Sequence, residues 1–172
     1  MEINRIENNT WIRELVSADD QLEKSVMIDM NLGLDTQRIL VNETIQYLLR
    51  LKTDFAEIAA QFNELKPGAI GRIKIYGIAK THADFMLFRN GYKMIFSIKN
   101  AGLISIRFHY VGNMAIPQPT QKEQATIVMD EELIESKWGP FEEVLWNYKG
   151  QPFKTEYLVR HYLTLFIKES AR

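Results

Sequence analysis

The chain has 172 residues, 46% hydrophobic and 25% charged, with 21 basic against 22 acidic side chains and a formal net charge of −1. That length suits one domain, residues 1–172; the apolar fraction excludes a disordered chain, and the balanced charge excludes bulk attraction to nucleic acid or anionic lipid. The absence of cysteine excludes disulfides, thiolate metal sites and cysteine nucleophiles, and fits a reducing compartment.

Met1 to Arg5 carry no basic stretch leading into an apolar one, so a secretory signal is not expected. No apolar run approaches the roughly 20 residues that span a bilayer. A soluble, cytoplasmic protein with no membrane partner is the expectation.

In chain order, Thr10 is placed to cap a short helix carrying Trp11, Ile12 and Leu15. A second short helix is expected from Ser17 or Asp19, with Leu22, Val26 and Met30 on one side. Gly33 interrupts, and Asp35 is placed to cap a long helix from Thr36 to Leu65, stopped by Pro67 and Gly68. A heptad frame sets Val41, Leu48, Phe55 and Phe62 at a, and Thr44, Leu51, Ile58 and Leu65 at d. Seven of the eight are apolar, the pattern of a self-associating helix. Leu40, Ile45, Leu49 and Ala59 widen the stripe toward that of a helix buried on its own domain.

From Ile70 to Gly112 the residues alternate as in an antiparallel meander. Asn90-Gly91 matches a two-residue type I′ hairpin, pairing Arg89 with Tyr92, Leu87 with Met94 and Phe85 with Phe96. Asn100-Ala101-Gly102 reads as a three-residue loop that sets Ile98 against Ile104, Phe96 against Ile106 and Met94 against Phe108. Both registers put Phe85, Leu87, Met94, Phe96, Ile98, Ile104, Ile106 and Phe108 on one core face. Ile73 and Ile75 join it across a tight turn near Lys80-Thr81-His82.

A loop follows at Pro117-Gln118-Pro119, then an extended segment at Ala125–Met129. Trp138, Phe141, Trp146, Tyr148 and Phe153 form an aromatic tract, read as an irregular segment clamping the sheet onto the last helix. Thr155 is placed to cap that helix through Lys168. The whole is an α+β fold: N-terminal helices including one long helix (1–66), an antiparallel meander (70–130), then the aromatic segment and C-terminal helix (131–172).

Charge is segregated. Residues 1–69 sum to −5, residues 70–112 to +6 and residues 113–172 to −2. Opposite the core face the registers place Arg72, Lys74, Tyr76, Lys93, Lys99, Arg107 and His109, with Met86, Phe88 and Ile95 among them. A basic sheet face with aromatic groups suits single-stranded nucleic acid, while cover by the acidic helices would satisfy the same charges internally. Asp130, Glu131, Glu132, Glu135, Glu142 and Glu143 read as a solvated acidic face.

Asp84, followed after twelve residues by Ser97-Ile98-Lys99, resembles the layout of the PD-(D/E)XK nucleases over about 16 residues. That resemblance implies Mg²⁺ held by two carboxylates and a lysine that positions water. Ser97 stands at the second carboxylate, and a neutral hydroxyl is a poor ligand for a hard cation. No catalytic residue and no metal ligand is therefore assigned. His82, His109 and His161 are scattered, and no P-loop, Rossmann, G-x-S-x-G or H-E-x-x-H pattern occurs, so no cofactor is expected.

The sequence thus points to a non-catalytic interaction or regulatory module, with a homo-oligomer or another protein as partner. Thirty helical residues reach about 45 Å, longer than strands of about 26 Å. Self-association is expected through Val41, Leu48, Leu51, Phe55, Ile58 and Phe62. The alternatives are a nucleic-acid-binding domain using the basic face and a small metal-dependent hydrolase around Asp84.

Overall fold

The structure, a computed structural model, describes residues 10–22, 32–78, 83–111, 126–128 and 131–171. The chain divides into two compact units, Met1–Ile39 and Leu40–Arg172.

In the first unit, helix α1 (Thr10–Leu22) runs unbroken through Ser17 and Asp19. The helix break expected at Ser17 or Asp19 is therefore absent. Trp11, Ile12, Leu15 and Val16 fall one turn apart and are exposed. Val26 and Met30 lie outside the described residues. Helix α2 (Leu32–Leu65) starts earlier than expected, with Gly33 and Asp35 inside it rather than before it. It ends as expected, at the turn before Pro67 and Gly68.

The second unit carries eight antiparallel strands: β1 (Lys74–Gly77), β2 (Phe85–Arg89), β3 (Tyr92–Asn100), β4 (Leu103–Val111), β5 (Thr126–Val128), β6 (Glu132–Trp138), β7 (Val144–Tyr148) and β8 (Gln151–Pro152). They are ordered β1-β2-β3-β4-β6-β7-β8, with β5 paired to the far part of β4. Helix α3 (Thr155–Glu169) follows. The α+β meander is the fold the alternation dictates, extended by a second hairpin.

Both expected registers are observed. Arg89 pairs with Tyr92, Phe85 with Phe96, Met94 with Phe108 and Ile98 with Ile104. Asn90 and Gly91 both take positive φ, as a type I′ turn requires. The second loop is tighter than expected, because Asn100 pairs with Leu103 and the irregularity moves to Lys99. Gly102, at φ +76, makes that turn possible. Its N–H donates to Thr44 Oγ1 at 2.8 Å, and a Cβ there would sit 2.1 Å from Ser136 Oγ.

One face of the sheet holds the core. Phe85, Leu87, Met94, Phe96, Ile104 and Ile106 meet Leu48, Leu51 and Phe55 of α2, and Leu158, Val159, Tyr162 and Phe166 of α3. Phe85 and Phe96 stack at 4.8 Å, and Phe55 closes on Phe96 at 4.9 Å. The long helix is therefore buried on its own sheet at Leu48, Leu51 and Phe55, while Val41 and Ile58 stay exposed and Phe62 is half-buried.

The aromatic tract is more regular than expected. It forms the β6–β7 hairpin, and its rings divide. Trp146 is buried and stacks on Tyr47 of α2 at 4.6 Å, whereas Trp138 and Phe141 are exposed. The clamp thus runs from the sheet to the long helix. Thr155 is the first residue of α3 rather than its cap, and its hydroxyl meets Tyr47 Oη at 3.3 Å. At the other end of α3, Arg89 is buried at 2% exposure and donates to Gly71 O, Ile167 O and Ser170 Oγ. A guanidinium among the last carbonyls of a helix complements its dipole.

Candidate functional site

The pairing registers assemble the face opposite the core as rows across the strands. One row runs Lys74, Phe88, Lys93, His109; the next runs Tyr76, Met86, Ile95, Arg107. Neighbours in a row are about 4.8 Å apart, the spacing of paired strands. Five of the seven expected basic-face residues therefore share one surface. Arg72 is exposed just before β1, and Lys99 sits at the bulge.

Neither α2 nor α3 covers this surface, since both pack on the apolar face. Of the cover expected from the acidic helices, α2 and α3 therefore supply none. Lys74 and Lys99 are exposed, as is Tyr76 at 44%; Met86, Phe88, Lys93, Ile95, Arg107 and His109 are half-buried. Arg107 Nε and His109 Nε2 are shielded from solvent with no hydrogen-bond partner among the described residues. Shielding holds the His109 imidazole below the usual histidine range, and the charges of Arg107 and Lys93 push it further down.

Asp84 is buried at the end of this face, and its Oδ1 accepts the Ile98 N–H at 3.0 Å. Its carboxylate thus holds the strand beside the bulge. Lys99 turns to Glu131 instead, at 3.0 Å, and Glu131 also accepts from the Ser105 hydroxyl. Those contacts, Ser105 first and Lys99 second, hold the Glu131 carboxyl below its ordinary range. Among the described residues no group of three or more acidic or histidine side chains is placed to hold a metal. His82 and Asp130 lie outside the described residues, and His161 is exposed on α3 beside Tyr162.

Glu131 and Glu132 are thus not one solvated acidic face. Glu131 serves the outer surface, whereas Glu132 accepts from the Tyr162 hydroxyl. That contact and burial both push the Tyr162 hydroxyl upward, burial more strongly. Glu135, Glu142 and Glu143 are exposed. The hairpin partner of the strand that carries Glu132 had one legible cue: Val144, Trp146 and Tyr148 of β7 alternate ahead of Lys149-Gly150, both at positive φ.

Among the described residues no helix is long and apolar enough to cross a membrane. No family model, no curated protein and no solved structure matches this chain.

Proposed function

We propose that the chain is a non-catalytic interaction module whose working surface is the outer face of the sheet, and whose partner is single-stranded nucleic acid. The supporting observation is the interleaving of cations with half-exposed rings and apolar groups. Lys74 and Lys93 flank Phe88 in one row, while Arg107 and Tyr76 bracket Ile95 and Met86 in the next. Phosphates neutralise the cations and bases stack on the rings, a combination that tolerates many sequences. A lysine-rich surface kept only for solubility would not place Phe88 and Ile95 between its charges. A hydrolase centred on Asp84 fits less well, because that carboxylate is buried and engaged by the Ile98 amide.

Fluorescence anisotropy with a labelled single-stranded oligonucleotide tests the reading. At low salt, binding in the micromolar range typical of backbone-dominated contacts is expected, weakening steeply as salt rises. Lys93→Glu combined with Arg107→Glu abolishes it while circular dichroism stays unchanged. No binding at low salt, or binding indifferent to the double substitution, overturns the reading.

A further inference from the structure

The β6–β7 hairpin ends in a turn whose side chains come at a conformational cost. Phe141 and Glu142, consecutive in that turn, both hold positive φ, at 58° and 60°. A bulky residue is an outlier there, and glycine would make the same turn without strain. The turn is nonetheless fixed: Gly139 N–H donates to Glu143 O at 2.7 Å, and Glu143 N–H to Pro140 O at 3.2 Å. It presents the Phe141 ring wholly to solvent, at 100% exposure, with Trp138 exposed at its base. Glu142 and Glu143 are exposed beside the ring. An aromatic knob held rigidly against backbone preference has the form of an interface anchor.

We propose that this tip docks on the outer sheet face of a second copy of the chain, setting Phe141 against Phe88 and Ile95 and the two carboxylates against Lys93 and Arg107. Charge chooses the occupant. From Gly139 to Glu143 the tip carries two carboxylates and no cation. It therefore repels phosphates and anionic headgroups, and its partner must offer cations beside apolar groups. The outer face has that pattern. Ile95 has Lys93 two residues away on its own strand and Arg107 directly across on β4, while Phe88 lies across from Lys93 on β2. Glu131, the acid near Arg107, is already engaged by Lys99. The hairpin is hydrogen-bonded into the same sheet as that face, so a single chain cannot bring the two together.

Each copy offers one tip and one face, so the contact is heterologous and copies add head to tail. The long helix, expected to self-associate, takes no part, because Leu48, Leu51 and Phe55 are taken by the sheet. The contact uses the surface proposed for nucleic acid but does not rest on that reading, since mass reports it with no oligonucleotide present.

Sedimentation equilibrium at low salt over about 10–500 µM, the range for a contact smaller than a standard interface, is the test. The average mass is expected to climb with concentration above the 20.1 kDa of one chain, and to fall back as salt screens the charges. Phe141→Gly separates the knob from the turn. Glycine suits the backbone, so stability in urea holds or rises, while association weakens at least about tenfold. Glu142→Lys with Glu143→Lys, and Lys93→Glu with Arg107→Glu, each oppose like charges and abolish association; mixing the two variants restores it. A wild type that stays at the mass of one chain overturns the proposal. So does a Phe141→Gly variant that associates as the wild type does, and so does a mixture that fails to recover.

Discussion

The two faces of one sheet are built from the same strands by the same alternation, yet they have opposite fates. On one, Phe85, Phe96, Met94 and Ile106 are sealed under α2 and α3; on the other, Met86, Ile95, Lys93 and Arg107 are only half-buried, and those helices are absent. Phe96 and Ile95 are chain neighbours that differ only in the side to which the pleat sends them. Apolar content alone therefore does not decide burial, because the outer face has apolar residues of its own. The difference is charge. Three permanent cations on the outer side, Lys74, Lys93 and Arg107, resist desolvation by a helix, and burying them without partners would cost several kcal/mol each.

Truncating one residue on each face should have very unequal effects. Phe96→Ala removes a ring packed against Phe55 and Phe85, and is expected to cost about 3–5 kcal/mol. Ile95→Thr, one position away, is expected to cost less than about 1 kcal/mol, as partly exposed substitutions do. Urea denaturation of both variants measures the contrast, and equal losses would mean that the outer face is core as well.

A smaller effect is expected where the helix layer meets the sheet at its turn. Gly102→Ala forces an L residue to φ +76 and drives its Cβ into Ser136 Oγ. A loss of about 2 kcal/mol is expected, part backbone strain and part the shift of Ser136. A midpoint unchanged in denaturant would show that the turn relaxes freely.

The core face was legible before any coordinates because Asn90-Gly91 permits few registers, and the next hairpin agreed with it. The long helix was legible as an element but not in its partner. A stripe of Leu48, Leu51 and Phe55 looks the same whether it faces a second helix or a sheet, since only its width tells them apart. Leu49 and Ala59 were the widening residues, and the sheet contact is what they marked. The role of Glu131 was not legible. Its partners Lys99 and Ser105 are more than 25 residues away in sequence, and only the placement of β6 beside β4 brings them together. Nor did the buried Arg89 announce itself, because the acceptors that hold it are backbone carbonyls of distant segments.

His109 reports from inside on the outer cationic face, the surface proposed to bind nucleic acid. Its folded value lies below the usual 6.5, so the neutral imidazole is favoured and protonation opposes the fold. By linkage, this contribution is present above the unfolded value and is lost as pH falls through the depressed one. The most direct measurement is the His109 imidazole titration by NMR, with and without a single-stranded oligonucleotide. The free protein is expected to titrate below 6.5; the bound polyanion offsets Arg107 and Lys93, and moves the midpoint upward. A midpoint that stays put while the oligonucleotide is bound would contradict the proposal, because the anion would then lie somewhere other than this face.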